Sequence, residues 1–515
     1  MSSKMQVREL MHQPPVLAHP GMSISDVAHV LDSNKVGAAI VLAGERIVGV
    51  ISERDLLRAL GRGLAPAATI DALLTTDPVT VAADASVADA LDLFRTHHFR
   101  HLPVLADGQA VGMLSIRHVV RVAHIEDVLP AGSAPTVAPP GLEGVAVAET
   151  AIGDVRGEEG FFHYRGYDAT ELARTCSFEQ VWHLLLLGEL PDPEQLRAFR
   201  QRAAAARELP AGVAELVTPI AMVEPYVPLD ALRTALSLAA SALGLRPTLD
   251  AAAPEIEEAA LRMVALTPVL LTHQYRAHRG EAPVAPDPDL GFAGSYLQML
   301  TGVHPTAEAT RAVEQYLILT MDHGFNASTF TARVVASTGA DMGAAVVGAI
   351  GALSGPLHGG APSRALDTLD AIGTPERAEE YLRDKVIAGE RLMGFGHRVY
   401  KTDDPRSTLL REVALELGGA QAAFAQTVEQ TALRVLQELK PGRRLYTNVE
   451  FYAGVVMNTA GIPREMFTPT FAVSRMAGWS AAICEQAAHN RLIRPSAVYI
   501  GPPAPRPLPA GYAYA

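Results

Sequence analysis

Two histidines between glycines and one carboxylate at a helix start are the residues of this sequence whose types and spacing point to chemistry. His358 and His397 each lie in a glycine-rich turn, and Glu450 follows Asn448, a residue type that favours the N-cap of a helix. Such a set provides two hydrogen-bond donors and a base. It suits the removal of a proton beside a carbonyl group and stabilisation of the enolate that results. We therefore predict that these three residues are catalytic.

The composition describes a globular protein of several domains. The 515 residues exceed what one core can organise, and 49% hydrophobic with 19% charged residues is typical of folded chains. The formal net charge of −13 repels phosphate backbones, so we expect no nucleic-acid partner. Any site for an anionic substrate must therefore be a local cluster of arginines.

The sequence also predicts a cytoplasmic location. The two cysteines, Cys176 and Cys484, are far apart and have no metal-ligand spacing, which favours a reduced protein without a metal. The N-terminus lacks the pattern of a signal peptide. The longest apolar stretch, residues 342–357, is interrupted by glycines and shorter than the ~18 residues of a membrane helix. We expect it to form a buried helix and expect no contact with a membrane.

The first 125 residues contain an internal repeat with a period of 63 residues. A shift of 63 positions places 49–52 on 112–115 and 23–26 on 86–89 without a gap. Each copy has the pattern of a short strand, an amphipathic helix, two apolar strands joined by a turn, and a second helix. One copy alone cannot bury its sheet face, so we expect the two copies to pack as a pseudo-symmetric pair.

This arrangement resembles a pair of cystathionine-β-synthase (CBS) domains, a regulatory module that typically binds adenine nucleotides between its repeats. The most diagnostic segment is 49–55, with glycine, two apolar residues, serine, two variable residues and aspartate. The resemblance implies that Asp55 binds ribose hydroxyls and that Ser52 lies near phosphate at a helix start. Arg100 and His101 are expected phosphate contacts.

The second repeat departs from that pattern because His118 stands where aspartate is expected. We therefore expect one nucleotide site, with AMP, ATP or NADH as possible effectors. The alternative is a module that is purely structural or that helps the protein oligomerise.

The composition of the chain changes after a segment rich in proline and glycine. Residues 129–144 have the composition of a semi-extended linker, which separates the repeats in 1–128 (about 5–62 and 68–125) from 145–515. Long helical patterns dominate the second region. The predicted fold is thus multidomain: an α/β CBS pair followed by a mainly α region.

The second region resembles citrate synthases over about residues 141–501. Several separate motifs occur in the order of that family: Tyr164–Tyr167, Asp322–Phe330, Pro356–Ala361, Gly394–His397, Asp404–Arg406, Phe471–Arg475 and Arg491–Pro495. The resemblance implies a mainly helical homodimer. Each subunit would have a large domain and a small domain, roughly residues 362–465, that close over oxaloacetate before acetyl-CoA binds.

The resemblance also assigns roles to individual residues. Arginine binds carboxylates such as those of oxaloacetate and citrate through two parallel hydrogen bonds. Arg406 and Arg475 would bind them from one subunit, and Arg494 would bind them from the partner subunit. His323 would complete this substrate cradle. His358 would act as a neutral imidazole on the enolate oxygen, and His397 would polarise the keto oxygen and protonate the alkoxide. The turn formed by Gly394, Phe395 and Gly396 is expected to contact CoA.

Glu450 departs from the best-known pattern of the family, which has aspartate as the base. In the first turn of a helix the dipole should favour its ionised form. The extra methylene displaces the carboxylate by roughly 1 Å, which can cost on the order of 100-fold in rate unless the backbone compensates. Some members of the family carry glutamate at this position, so we expect an active enzyme.

Three functions remain open at this point. The first is a citrate synthase, an acyltransferase that condenses acetyl-CoA with oxaloacetate and water, requires no cofactor and is regulated by an adenine nucleotide. The second is a 2-methylcitrate synthase, because one methylene in an apolar pocket changes binding by only ~1–3 kcal/mol and no residue of the sequence fixes that pocket. The third is a nucleotide-sensing regulatory protein with weak catalysis.

Overall fold

The computed structural model divides the chain into two compact units. One comprises residues 1–137 and 497–515, and the other residues 138–496. The described residues are 6–34, 36–44, 46–61, 63–97, 99, 101–116, 138–142, 144–356, 358, 361–396, 399–400, 402–443, 445–498 and 500–502. Arg100, His118, His397, most of the predicted linker and the end of the chain therefore lie outside the described residues.

The first unit contains two small sheets that repeat one topology. Strand order is β1-β2-β3-β4 in one sheet and β5-β6-β7 in the other. In both sheets the first two strands of this order are parallel and the next pair is antiparallel. The strands are β1 (Leu17–Ala18), β2 (Ala38–Ala43), β3 (Arg46–Ser52), β4 (Thr75–Thr76), β5 (Val81–Ala82), β6 (His101–Ala106) and β7 (Gln109–Ser115).

The predicted 63-residue period is reproduced in the pairing register. Ala18 pairs with Val41 in the first sheet, and Val81 pairs with Val104 in the second, so the partner strands repeat with the same period. The register irregularity that follows Val41 recurs after Val104. The two repeats therefore share their local backbone design as well as their sequence pattern.

The helices of the first unit begin with matching caps. Ser23 and Asp26 form a capping box at α1 (Ile24–Ser33). Ser86 and Asp89 make the same hydrogen bonds at α3 (Val87–His97). Helix α2 (Glu53–Gly61) lies between these two helices in the chain. A shared apolar cluster, which includes Ile40 and Met113, joins the sheets of the two repeats. The predicted packing of the two copies as a pair agrees with this shared cluster.

The second unit is mainly helical, as predicted. Its short sheet has the order β10-β9-β8, formed by β8 (Gly153–Arg156), β9 (Phe161–Tyr164) and β10 (Tyr167–Asp168). The helices are α4 (Ala169–Thr175), α5 (Phe178–Leu187), α6 (Pro193–Ala205), α7 (Val213–Ala221), α8 (Pro228–Ala242), α9 (Ala253–His278), α10 (Gly291–Thr301), α11 (Ala307–Thr320), α12 (Ala327–Ser337), α13 (Met342–Leu353), α14 (Ala361–Ile372), α15 (Ala378–Ile387), α16 (Pro405–Leu417), α17 (Ala420–Leu439), α18 (Val449–Thr459) and α19 (Phe467–Ala488).

One large core holds these helices together. The long helices α9 and α19 pack against each other, and α19 also packs against α11, α12 and α13. Residues 342–353 of the apolar stretch form α13, which is capped by Asp341 and buried along most of its length, in agreement with the predicted buried helix. Within the described part of the chain, no helix has both the length and the apolar character needed to cross a bilayer.

One local prediction differs from the structure. Thr374, Pro375 and Glu376 have the pattern of a helix start, and we predict a single helix from there. The structure places a short 3-10 turn at Pro375–Arg377, and α15 begins only at Ala378. Of the predicted apolar face, Ala378, Leu382 and Val386 are buried, whereas Tyr381 is only half-buried.

Candidate active site

His358 is anchored to α12 by a hydrogen bond to a serine. Its backbone N–H donates to the carbonyl of Gly355 at 2.9 Å, and its Nε2 lies 2.8 Å from Oγ of Ser328. The indole N–H of Trp479 donates to the same oxygen at 3.1 Å. The imidazole is thus held through one nitrogen, and no described residue bonds the other nitrogen, Nδ1, which can therefore serve a ligand.

The tautomer of that imidazole depends on where Ser328 directs its hydroxyl proton. Because Trp479 can only donate, the serine hydroxyl directs its single proton to one of two acceptors, Nε2 of His358 or Oδ1 of Asn326, each 2.8 Å away. The asparagine oxygen already accepts the backbone N–H groups of Ser328 and Thr329. When the proton goes to His358, Nδ1 of that histidine carries the remaining hydrogen and becomes a donor.

His358 is neutral at physiological pH. Burial lowers the pKa of its imidazole from 6.5 to about 4, and the positive charge of Arg475 acts in the same direction. The predicted neutral state agrees with the structure. Its principal physical cause is burial, which the sequence pattern did not show.

Glu450 lies in the first turn of α18, and Asn448 is the N-cap, as predicted. The amide oxygen of Asn448 accepts the backbone N–H of Glu450 at 3.1 Å. The Asn448 amide group also donates to the carbonyl of Gly396 at 3.0 Å, and the Asn448 N–H donates to the carbonyl of Gly394. The start of this helix is therefore bonded to the glycine turn that precedes position 397.

The ionisation of Glu450 differs from the expectation based on the helix dipole. Burial raises the pKa of its carboxyl group from 4.5 to about 7, although the nearby charge of Arg406 acts in the opposite direction. Loss of hydration thus outweighs the favourable helix terminus. A carboxylate whose pKa lies near neutral pH is well matched to work as a general base.

Arg406 is buried near this carboxylate and is paired with Asp404, the N-cap residue of its helix. Its Nε and Nη2 contact the two carboxylate oxygens of Asp404 at 3.0 and 2.8 Å. One oxygen of Asp404 also accepts the backbone N–H of Val449 at 3.1 Å. Asp404 therefore links Arg406 to the helix of Glu450, and a bound substrate carboxylate would share the guanidinium with Asp404.

Arg475 projects from α19 into the same region. Its Nε donates to the carbonyl of Thr320 at 2.7 Å, and its guanidinium lies 4.6 Å from the ring centroid of Phe471. The residue is only 2% exposed. Its charge acts on both His358 and Arg406, so two cations lie near the imidazole and the carboxylate. Such a cluster suits a ligand with several carboxylates.

His323 follows the C-terminus of α11 and is held in place by two tyrosines. Its Nε2 lies 3.1 Å from the hydroxyl of Tyr400. The hydroxyl of Tyr164 bonds the carbonyls of Ile318 and Asp322 at 2.9 and 3.1 Å, which fixes the backbone immediately before His323. The structure thus brings five predicted residues into one connected cluster: His323, His358, Arg406, Glu450 and Arg475.

Arg494 is separate from this cluster within the chain. It lies in the extended segment after α19, which is tied down by the hydrogen bond from Ile493 N–H to Ser337 Oγ at 3.0 Å. The side chain is exposed and, within the described residues, makes no hydrogen bond or ion pair. Its predicted place in the partner subunit's site stays a prediction.

The glycines of the second turn have a structural role besides any ligand contact. Gly394 and Gly396 have φ of +89° and +85°, values that glycine adopts without strain. A Cβ on Gly394 would lie 2.9 Å from the ring of Phe451. Phe395 packs against the same ring, with centroids 5.3 Å apart. The backbone conformation and the close packing explain why glycine is needed at these two positions. The predicted contact of this turn with CoA stays a prediction.

A family model described as "Citrate synthase, C-terminal domain" matches residues 141–496, well over half of the chain. The chain belongs to the citrate synthase family. It is accordingly an enzyme of the class that transfers an acyl group by condensation, so the third function left open by the sequence, a weakly catalytic sensor, is not favoured. The model described as "CBS domain" matches residues 7–62 and 70–125, which confirms the predicted pair.

The relatives of this citrate synthase family member include enzymes with two different names, citrate synthase and 2-methylcitrate synthase. The citrate synthase of Deinococcus radiodurans is 40% identical over 365 residues, covering 70% of this chain and 95% of the relative. A 2-methylcitrate synthase of Mycobacterium tuberculosis is 39% identical over 365 residues, covering 70% and 90%. These nearly equal identities leave the acyl group undecided.

Solved structures of citrate synthases share the fold. The enzyme from Pyrobaculum aerophilum is 38% identical with a TM-score of 0.66, and the match covers 72% of this chain and 94% of that one. The enzyme from Thermoplasma acidophilum, solved in a ternary complex with carboxymethyl coenzyme A and oxaloacetate, is 29% identical with a TM-score of 0.66. That match covers 72% of this chain and 98% of the other.

The nucleotide site predicted in the CBS pair is partly described. Ser52 donates to Asp55 Oδ2 at 2.6 Å at the start of α2, and Arg58 lies 3.7 Å from the other carboxylate oxygen. His101 lies against Gly37 of the first repeat, where an added Cβ would be 3.1 Å from the ring. The predicted residues that the structure describes therefore occur near the junction of the two repeats of this unit.

Several supporting residues were not predicted from the sequence. Ser328 and Asp404 lie inside motifs that resemble the family, so their positions were visible but their roles were not. Trp479 and Tyr400 act across long sequence separations, and no local pattern shows that. Among the described residues, no group of three or more His, Cys, Asp or Glu side chains could hold a metal ion. The expectation that the enzyme needs no cofactor stays a prediction.

Proposed function

We propose that this enzyme condenses acetyl-CoA with oxaloacetate and water to give citrate and CoA. The observation that carries the proposal is the buried cluster in which a neutral imidazole, a carboxyl group with a pKa near 7 and two arginines converge. The Thermoplasma acidophilum relative was solved with carboxymethyl coenzyme A and oxaloacetate, which supports a coenzyme A compound and oxaloacetate as the ligand pair of this site.

Glu450, His358 and His397 would share the chemistry. Ionised Glu450 would remove a proton from the acetyl methyl group, while the Nδ1–H of His358 donates to the enolate oxygen. The enolate carbon would then attack the keto carbon of oxaloacetate, and His397 would protonate the resulting alkoxide. Hydrolysis of the citryl thioester by water would release citrate and the CoA thiol.

The arginines would bind and orient the dicarboxylate. Arg406 and Arg475 lie in the described cluster, and His323 is placed beside it by Tyr400. Arg494 would come from the partner subunit of a homodimer. The turn that contains Gly394, Phe395 and Gly396 would contact CoA through its backbone.

Release of free thiol in the presence of oxaloacetate tests the proposed reaction directly. We expect faster release from acetyl-CoA than from propionyl-CoA, and the ratio of kcat/KM for the two thioesters measures the preference. A higher value with propionyl-CoA would make the enzyme a 2-methylcitrate synthase, the activity in the name of the Mycobacterium tuberculosis relative. Release no faster than without oxaloacetate would contradict the proposal.

The pH dependence should report Glu450. Because burial raises its pKa to about 7, kcat/KM should fall about tenfold per pH unit below that value as the base becomes protonated. His358, with a pKa of about 4, stays neutral throughout this range and should add no second step above pH 5. Initial rates from about pH 5 to 9 test this expectation, and an acid limb centred below pH 5 would contradict it.

We also propose that an adenine nucleotide regulates the enzyme through Ser52, Asp55, Arg100 and His101. A nucleotide changes activity only if it binds one state of the enzyme more tightly than another. Asp55→Ala should weaken nucleotide binding, measured by calorimetry with AMP, ATP and NADH, and abolish any change in activity. Asp89→Ala, at a capping position of the second repeat, is the matched control and should retain the response. If Asp55→Ala retained the same nucleotide response as Asp89→Ala and the wild type, Asp55 would be excluded from the site.

A further inference from the structure

Tyr316, on α11, carries a buried hydroxyl group that has no hydrogen-bond partner among the described residues. The residue is 1% exposed, and its hydroxyl oxygen makes no hydrogen bond within the described residues. A buried polar group left unpaired is costly, so native proteins rarely keep one without a function or a bound molecule. Tyr296, another fully buried tyrosine, shows the usual arrangement, with its hydroxyl 2.6 Å from Oγ1 of Thr470.

The surroundings of Tyr316 are those of the active-site cluster. Helix α11 packs against α16, α18 and α19, which carry Arg406, Glu450 and Arg475. The charges of these three residues all act on the Tyr316 hydroxyl. The phenol therefore lies near the charged residues of the active-site cluster, including the proposed base.

The carboxylate of Glu450 also makes no hydrogen bond or ion pair within the described residues, although the group is largely buried. Of the helices packed against α18, α16 presents Arg406 with its partner Asp404, and α11 presents Tyr316. Helix α17 carries Glu429, which is already bonded to Tyr452 at 2.6 Å, and α14 carries Asp367, an exposed residue that lies 3.4 Å from Arg464. Tyr316 is thus a neutral donor near Glu450 that has no competing partner among the described residues.

We propose that Tyr316 is a positioning residue whose hydroxyl donates to the ionised carboxylate of Glu450, directly or through one water molecule. The inference rests on the proposed role of Glu450 as the base. A phenol donor favours the ionised carboxylate and so offsets part of the loss of hydration. It also restrains the longer glutamate side chain, which supplies the compensation that an extra methylene requires.

Tyr316→Phe removes this hydrogen bond and little else. Hydrogen bonds to charged groups contribute enough to move a pKa by about one unit, so the acid limb of kcat/KM should shift upward by about one pH unit. Activity should fall about tenfold near pH 6 and recover at higher pH. Tyr296→Phe is the matched control: it removes the bond to Thr470 and should leave the position of the acid limb unchanged. An unshifted limb in Tyr316→Phe would overturn the inference.

A double-mutant cycle tests the contact without using activity. The four proteins are the wild type, Tyr316→Phe, Glu450→Gln and the double variant, each melted at about pH 8, where Glu450 is ionised. We expect Tyr316→Phe to lower Tm more in the wild-type background than in the Glu450→Gln background. If the two substitutions are coupled but the wild-type protein releases no thiol, the contact between Tyr316 and Glu450 stands and the role of Glu450 as the base is rejected. Additive effects on Tm would overturn the inference.

Discussion

Glu450→Gln should lower thiol release by about 100- to 10,000-fold, the usual contribution of a positioned general base. The amide is nearly the same size as the carboxyl group, so oxaloacetate should still bind, as measured by calorimetry. Glu429→Gln is the matched control, because Glu429 is also a buried glutamate but bonds Tyr452 and Arg411. Turnover by Glu450→Gln equal to that of the wild type would show that another residue is the base.

The same substitution should make the protein more stable, in a pH-dependent way. The folded pKa of Glu450 is about 7 and its ordinary value is 4.5, so ionisation above pH 7 costs the native state about 3 kcal/mol. Below pH 4.5 the group is protonated in both states and the cost disappears. We therefore expect Glu450→Gln to raise Tm at about pH 8 and to have much less effect at about pH 5. An equal gain at both values would contradict the raised pKa.

Gly478→Ala should disable the substrate cradle without touching a polar side chain. Gly478 lies in α19, where a Cβ would be 2.1 Å from the carbonyl oxygen of Met321 and 3.2 Å from the Cβ of Asp322. Backbone atoms cannot move aside independently, so residues 320–323 must shift. That segment carries His323 and the carbonyl that accepts from Arg475. A displacement of about 1 Å should lower kcat/KM about 100-fold, and overpacking should cost about 1–3 kcal/mol of stability.

The control for this prediction is a helical glycine with free space. A Cβ on Gly351, in α13, would meet no atom within 4 Å. Gly351→Ala should therefore keep full activity and raise stability by up to about 1 kcal/mol, because alanine favours the helix more than glycine. The comparison requires kcat/KM with varied oxaloacetate and melting of both variants. Wild-type activity in Gly478→Ala would show that the close approach of the two backbones is not needed.

The elements of the fold are predictable where their signals are local. The 63-residue period reappears in strand register, and the N-cap predicted at Asn448 is formed by that residue. Thr374 is the N-cap as predicted, but the helical segment opens with a 3-10 turn, and its α-helical part begins only at Ala378. Two conformations that share a capping preference cannot be separated by local pattern alone.

Sequence motifs identified five residues that the structure brings together, but they did not show the energetics of the site. The motifs identify His358 and Glu450, but a pKa depends on burial, which is set by helices distant in the chain. The close approach of Gly478 to Met321 likewise joins residues that are far apart in the sequence. The ionisation of Glu450 is therefore the point at which reasoning from the helix dipole failed.

The hydrogen bonds between the glycine turn at Gly394–Gly396 and the start of α18 have a mechanical consequence. Asn448 bonds that turn through both its backbone and its side chain, and position 397 is the next residue of the chain. The proposed acid thus directly follows a turn that is fastened to the helix of the proposed base. When the predicted large and small domains open to admit substrate or release product, His397 and Glu450 should move together. Each turnover would then begin with the proposed acid and base already correctly placed relative to each other.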